Sequence, residues 1–189
     1  VPSYRQDVLK EIDLIEEVAR IFGYDKIPAS LAKASPNPSL GGNQGLVALI
    51  KNILVSLGLN EAITYSLVDR DLVRSFGFND ADCPQLINPL SKEQEVLRPS
   101  VIPGLVRCVA YNLNQKQEPI AIFEVAKGFN GSSGAPKEEP ALGIALCGVK
   151  KVFLEDEVKE CRLGLRHAKG ILEALLYRLG IDNITYSPS

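Results

Sequence analysis

The feature that most constrains the fold is a pair of apolar segments separated by a polar turn. Residues 119–126 (PIAIFEVA) are nearly continuously apolar, the pattern of a β-strand buried on both faces. Residues 130–140 are rich in Gly, Ser, Pro and charge, and residues 141–147 (ALGIALC) are apolar again. The simplest interpretation is an antiparallel hairpin with a long loop. With the helical patterns around it, the hairpin predicts an α+β fold, an antiparallel sheet flanked by helices.

Apolar residues at helical spacing predict four main helices. The first begins after Asp7, its expected N-cap, and ends at Gly23, whose freedom suits a helix stop. Three others are predicted over 46–57, 103–113 and 171–179. Asp69 is expected to cap a further, short helix that stops near Gly77.

Three more segments are rich in strand-forming residues. They cover residues 61–68, 85–88 and 183–186. The third has no following segment with which to pair, so we expect the domain that contains it to be truncated at its C terminus.

A change of composition divides the chain. Between Pro28 and Gly45, Pro, Ser, Asn, Gly and Ala dominate without periodicity, which is typical of a linker. We therefore expect the end of one domain over 1–28, a linker over 29–45 and a second domain over 46–189.

Charge, cysteine spacing and hydropathy exclude several classes of protein. The net charge of -2 argues against a surface built to hold phosphates, and no apolar run approaches the roughly 18 residues that span a bilayer. The four cysteines form no C-x-x-C pair, and His167 is the only histidine, which argues against zinc. Scattered cysteines are typical of reduced thiols in a cytoplasmic protein. His167 is interpreted as a surface residue rather than a catalytic one.

Two long strings carry a resemblance to a known family. Residues 1–28 (VPSYRQDVLKEIDLIEEVARIFGYDKIP) resemble the end of the B5 domain, a winged-helix-like domain, in the β subunit of bacterial-type phenylalanyl-tRNA synthetase. Residues 86–129, with N-P-L-S, L-R-P-S-x-x-P-G-L and F-E-x-x-x-x-F, resemble the catalytic-like core of the same subunit. The resemblance implies a class II synthetase sheet and a cytoplasmic (αβ)₂ heterotetramer with an α subunit. That complex would join phenylalanine to tRNA(Phe), using ATP and Mg²⁺.

The residues that would carry the chemistry are missing from the motif. Adenylate formation needs fixed positive charge against phosphates. Class II enzymes place an Arg shortly after a strand that ends in Phe, but Asn130 and Gly131 follow Phe129 here. No G-x-G-x-G-x-x-R string occurs in the chain. We therefore predict no catalytic residue, and the fragment by itself is expected to be inactive.

Arg98, in the L-R-P-S string, has two interpretations. It could contact a ligand or adenylate, or it could be a structural arginine paired with a carboxylate or a chain terminus where strand meets helix. The structural interpretation is the favoured one.

Acidic residues cluster in the first helix. Asp13, Glu16 and Glu17 lie at i, i+3 and i+4, so they share one helix face. By pattern alone they form a solvated acidic face, with Asp7 as N-cap. The resemblance implies instead that Asp7, Asp13, Glu16 and Glu17 hold a Mg²⁺ shared with the α subunit. That site would be incomplete without the partner, so no Mg²⁺ is expected on the isolated chain.

The favoured function is therefore a non-catalytic scaffold of phenylalanine–tRNA ligase that assembles with the catalytic α subunit. The alternative is a stand-alone module that binds tRNA, another nucleic acid or a protein. The near-neutral charge and the lack of a basic stripe argue against nucleic-acid binding.

Overall fold

The computed structural model describes residues 1–30, 42–79, 82–131, 136–154 and 157–186. The chain forms two compact units, Val1–Ser39 and Leu40–Ser189. Most of the predicted linker, residues 31–41, lies outside the described residues. None of the helices in the described ranges combines the length and the apolar character that a bilayer crossing needs.

The α-helix in the described part of the first unit is α1 (Glu11–Phe22), which begins later than predicted. Asp7 is not its N-cap, because the helix starts four residues further on and Arg5 engages the Asp7 carboxylate. Lys10 takes the N-cap position instead. The predicted stop is confirmed: Gly23 has a φ of 103°, and its N–H donates to the carbonyl of Ala19.

The second unit is built on a three-stranded sheet in the order β1-β4-β5. Its strands are β1 (Asn60–Glu61), β4 (Ile120–Asn130) and β5 (Lys137–Cys147). The predicted antiparallel hairpin is confirmed, with Ile120 opposite Cys147 and Asn130 opposite Lys137. One detail differs from the prediction, because β1 joins the hairpin parallel to β4.

Helices cover the two faces of the hairpin, which explains why its strands are so apolar. The helices of this unit are α2 (Gln44–Ser56), α3 (Arg70–Ser75), α4 (Ile102–Asn114) and α5 (Leu165–Arg178). Phe123 packs with residues of α2 and α5 in one core cluster, whereas its neighbour Ile122 packs with Leu105 of α4 in another. Successive strand residues point to opposite faces, so α4 lies on the face opposite α2 and α5.

Three strand predictions fail in detail. Residues 61–68 are not one strand, since only the ends are extended pairs, in β1 and in β2 (Leu67–Val68). Over 85–88 there is a single bridge, between Gln85 and Val96 of β3 (Val96–Leu97), and 183–186 forms no strand. β-Branched and aromatic residues in these segments favour an extended backbone, which is why strands were predicted. Outside β1, β2 and the Gln85 bridge, however, their backbone joins no ladder.

A second hairpin has no counterpart in the predictions. Strands β6 (Val149–Leu154) and β7 (Glu157–Arg162) pair antiparallel, with Lys150 opposite Cys161. Charged residues interrupt both strands, so their sequence lacks the apolar alternation that reveals a half-buried strand.

Candidate functional site

The acidic cluster of the first unit is occupied by contacts within the chain. Arg5 binds both Asp7 and Glu17, with Nη2 2.7 Å from Asp7 Oδ2 and 2.8 Å from Glu17 Oε1. Arg20 holds the other oxygen of Glu17 at 2.7 Å. Asp13 Oδ2 accepts hydrogen bonds from the backbone N–H groups of Leu9 and Lys10, at 2.9 and 2.7 Å. Three of the four acids that sequence reasoning grouped are therefore already bound.

The arginines favour the ionised form of the two carboxylates that they bind. Hydrogen bonds and charge from Arg5 lower the pKa of Asp7 below its ordinary value of 3.8. The hydrogen bond from Arg20, and then the one from Arg5, lower the pKa of Glu17 below 4.5.

These placements do not fit a Mg²⁺ site within the chain. Mg²⁺ needs oxygen atoms that are free to converge in octahedral geometry, but a guanidinium lies between Asp7 and Glu17. Asp13 points its oxygen at the start of α1. In the part of the chain that the structure describes, no group of three or more His, Cys, Asp or Glu is arranged to hold a metal ion.

Arg98 lies in the interior of the second unit, 2% exposed, against an equally buried Glu124. Its Nη1 is 2.9 Å from Glu124 Oε1 and 2.7 Å from the hydroxyl of Thr64, and its Nε donates to the carbonyl of Lys127 at 3.2 Å. Thr64 donates its own hydroxyl to Glu124 Oε2 at 2.7 Å and its N–H to Oε1 at 3.2 Å. This cluster of Arg98, Glu124 and Thr64, hereafter the buried triad, joins the L-R-P-S and F-E strings.

Two glycines of the same strings allow the close approach of backbone to this triad. A Cβ on Gly104 would lie 2.4 Å from the Thr64 hydroxyl oxygen, and one on Gly128 would lie 2.5 Å from the carbonyl oxygen of Pro99. Real Cβ atoms essentially never come this close to another atom. Glycine is therefore needed at Gly104 for α4 to approach Thr64, and at Gly128 for β4 to approach Pro99.

The two residues after Phe129, Asn130 and Gly131, provide no cation. Asn130 donates its side-chain amide to Glu139 at 3.4 Å, and the Gly131 N–H donates to the carbonyl of Asp82 at 3.0 Å. Gly131 has a φ of 111°, a conformation that disfavours an arginine or any other residue with a Cβ.

An open cavity of about 520 Å³ lies between α4 and the chain that precedes it. Large apolar and aromatic residues at its rim are exposed, Ile63 by 88%, Tyr65 by 78% and Tyr111 by 66%. Its charged lining residues are Glu93 and Arg107.

Sequence reasoning missed Glu124 and Thr64. The signal for Glu124 was available, because one glutamate within the apolar run 119–126 must find a buried partner. Thr64 gave no such signal, because it lies in a segment that was predicted to be a regular strand.

Two family models match the chain, in adjoining segments. Residues 1–24 match the tRNA synthetase B5 domain, and residues 27–189 match the phenylalanyl-tRNA synthetase β chain CLM domain.

Curated relatives with high similarity are phenylalanine–tRNA ligase β subunits. The subunit of Staphylococcus saprophyticus is 37% identical over 186 residues, covering 96% of this chain and 23% of its own length. That of Streptococcus pneumoniae is 36% identical over 195 residues, covering 99% of this chain and 24% of its own length. The chain thus spans about a quarter of the length of the curated relatives that it matches.

Solved structures with the same fold are synthetases or related to them. The pyrrolysyl-tRNA synthetase PylSc of Desulfitobacterium hafniense has a TM-score of 0.55 at 17% identity, covering 77% of this chain and 49% of its own. An ATP phosphoribosyltransferase regulatory subunit/histidyl-tRNA synthetase from Bacillus halodurans also has a TM-score of 0.55, at 19% identity. It covers 82% of this chain and 40% of its own. These similarities confirm the predicted class II synthetase-like fold.

Proposed function

The chain belongs to the phenylalanyl-tRNA synthetase β-chain family, and from that premise we propose that it is a non-catalytic scaffold within phenylalanine–tRNA ligase. In this proposal the ligase charges tRNA(Phe) with phenylalanine at the expense of ATP. The chemistry resides in a partner α subunit, with which the β subunit forms an (αβ)₂ heterotetramer. The domain over 46–189 supports that partner, and residues 1–28 form the end of the preceding domain.

The burial of Arg98 is the observation that carries this proposal. A guanidinium that binds phosphate or an oxyanion must face the ligand. Arg98 is instead 2% exposed, and its N–H groups donate to Glu124, Thr64 and the Lys127 carbonyl. We therefore assign it a structural role. Asn130 and Gly131, which follow Phe129 where a catalytic arginine would be expected, carry no positive charge.

Exposed apolar residues support a partner. Ile63, Tyr65 and Tyr111 surround the cavity beside α4. Single exposed apolar residues are common on protein surfaces, but a contiguous group of them marks an interaction surface. We assign this surface to the α subunit, because a cavity with apolar walls takes an apolar side chain of a protein.

Mg²⁺ belongs to this proposal only through the assembled complex. Arg5 and Asp13 make contacts within the chain that compete with an ion, so we expect no Mg²⁺ on the isolated chain. A titration of the isolated chain with Mg²⁺, followed by NMR of the carboxyl carbons of Asp7, Asp13, Glu16 and Glu17, should show no saturable shift; octahedral Mg²⁺ at these residues would contradict the assignment. None of the four cysteines is joined in a disulfide in the described part of the chain, which supports a reducing, cytoplasmic location.

The decisive experiment is ATP–pyrophosphate exchange on this chain, on the α subunit and on the two co-expressed. We expect exchange only in samples that contain the α subunit. Phenylalanine-dependent exchange by this chain alone would overturn the scaffold role.

A filter-binding assay with tRNA tests the alternative function. Tight, salt-sensitive binding by this chain alone would favour a nucleic-acid module.

A second experiment tests the assigned surface. Tyr111→Glu should weaken co-purification with the α subunit, because it places a charge on the apolar rim of the cavity. Val158→Glu is the matched control, since Val158 is 55% exposed on β7 and does not line the cavity. Equal loss, or no loss, in the two variants would contradict the assignment of this surface.

A further inference from the structure

The only histidine of the chain lies against a cysteine. The imidazole Nε2 of His167, in the first turn of α5, is 3.2 Å from the Sγ of Cys161 on β7. Both side chains are half-buried, so solvent and small molecules reach them without unfolding. A thiol at this distance can give its proton to an unprotonated Nε2, and the thiolate is the nucleophilic form of cysteine.

The surroundings of this pair add a cation and a cavity. Lys150 lies directly opposite Cys161 in the β6–β7 ladder, so the two side chains are on the same face of the hairpin. Lys150 and His167 both line a cavity of about 320 Å³, whose other walls include Leu146, Leu163 and Ile171. Cys161 is not one of the lining residues and borders the cavity through its contact with His167. In the described part of the chain, no ion pair joins Lys150 to a carboxylate.

The other cysteines lack this arrangement. Cys83 is buried, and Cys147 packs in the apolar cluster beside α4. Cys108 is half-buried like Cys161, but its neighbour is the Asn112 amide, which donates to the sulfur at 3.6 Å and cannot accept its proton. Cys108 is thus a control within the same chain.

We propose that Cys161 and His167 form a thiol–disulfide exchange site for small organic disulfides that carry carboxylates. The Cys161 proton passes to His167 Nε2, and the sulfur attacks one sulfur of the disulfide. The disulfide bond breaks, a mixed disulfide forms on Cys161, and the departing thiolate takes a proton from the imidazolium. One thiol and one disulfide are consumed, and one thiol and one disulfide are produced. This modification site is independent of the scaffold role.

Charge selects the class of disulfide. Lys150 favours an anionic reagent, and the apolar walls favour a compact organic group. The probes are therefore 3,3′-dithiodipropionate, which carries two carboxylates, and cystamine, which carries two amines; both are aliphatic disulfides, so they differ mainly in charge.

The test maps the modified cysteine by mass spectrometry at limiting probe on the full chain. With the anionic probe, Cys161 should react before Cys108, at a rate on the order of tenfold higher. His167→Gln should remove most of that difference while Cys108 reacts as before. Lys150→Gln should lower the preference for the anionic probe over cystamine, whereas Lys151→Gln, on the opposite face of the hairpin, should not.

Each other outcome counts against the proposal. Equal rates at Cys161 and Cys108 in the unchanged chain would overturn the site without any variant. An unchanged Cys161 rate in His167→Gln would exclude the imidazole as the proton acceptor. An equal preference for the two probes would overturn the assignment to anionic disulfides. None of these measurements involves the α subunit or ATP–pyrophosphate exchange. Their outcome is therefore independent of the proposed function.

Discussion

The chain contains two clusters of arginine and carboxylate that are alike in chemistry and opposite in environment. In the first unit, Arg5 and Arg20 bind Asp7 and Glu17 at the surface, with every partner at least partly exposed. In the second unit, Arg98 binds Glu124 in the interior. Distances are nearly equal in the two clusters, between 2.7 and 2.9 Å, so the geometry of the ion pairs does not distinguish them.

Environment decides what each cluster does. A surface ion pair gains little because water and salt screen it and because two long side chains lose freedom. A buried pair has a large desolvation cost, so the loss of one partner leaves an uncompensated charge. The buried triad therefore fixes the L-R-P-S segment against β4. The surface cluster, in contrast, can exchange its partners at little cost. A partner subunit could engage the surface acids without unfolding the chain.

The largest expected effect comes from breaking the buried pair. Glu124→Gln removes the charge that compensates Arg98 and should lower the free energy of unfolding by about 3–5 kcal/mol. Urea denaturation followed by circular dichroism measures this change. The double variant Arg98→Met/Glu124→Leu removes both charges, so it should be less destabilised than Glu124→Gln. A loss below about 1 kcal/mol in the single variant would show that the pair is solvated like the surface cluster.

The next effect tests the packing around the triad. Gly104→Ala places a methyl group 2.4 Å from the Thr64 hydroxyl, which is fixed by Arg98 and Glu124, so we expect about 1–3 kcal/mol of destabilisation. Gly170→Ala is the matched control, because Gly170 is also helical and has nothing within 4 Å. That variant should gain about 0.5–1 kcal/mol in the same urea titration. Equal changes in the two variants would rule out the close contact.

Local pattern predicted the elements of the fold but not their long-range contacts. The hairpin over 119–147, the helices and the stop at Gly23 follow from periodicity and backbone preference, which act over a few residues. The pairing of Arg98 with Glu124 joins positions 26 residues apart and depends on how β4 passes the L-R-P-S segment. The favoured interpretation from the sequence was a structural Arg98 paired with a carboxylate or a chain terminus, and only the fold identifies Glu124 as the partner.

The same distinction applies to the acids of α1. Spacing placed Asp13, Glu16 and Glu17 on one helix face, and that arrangement follows from helix geometry. Their hydrogen bonds do not follow from spacing, because Asp13 turns back to cap the helix and Arg5 reaches Glu17 from outside it. A pattern of carboxylates thus indicates which residues are neighbours, while competing donors decide which of them are available to an ion.

A smaller effect is expected from the capping carboxylate of the first unit. Asp13→Ala removes the acceptor for the Leu9 and Lys10 N–H groups and should destabilise α1 by about 0.5–2 kcal/mol. Amide hydrogen exchange of residues 9–15 measures the local opening. Glu16→Ala is the control, since Glu16 lies on the same exposed face and does not cap the helix start. Faster exchange in both variants alike would show that Asp13 acts through charge and not as a cap.

The smallest effect is expected from the surface cluster itself. The pKa values of Asp7 and Glu17 are lowered in the folded chain, so their contribution to stability is present above the ordinary values of 3.8 and 4.5. It is lost as pH falls through the lowered values, because protonation removes the charge that Arg5 binds. Carbon-detected NMR titration of the two carboxyl groups measures the midpoints. Arg5→Gln should move the Asp7 midpoint back toward its ordinary value and the Glu17 midpoint only part of the way, because Arg20 still binds Glu17. Because both sites are exposed, added salt should reduce the shifts as well. An Asp7 midpoint that stays low both in Arg5→Gln and in high salt would mean that the surface cluster is shielded like the buried triad, and the contrast between the two units would then not hold.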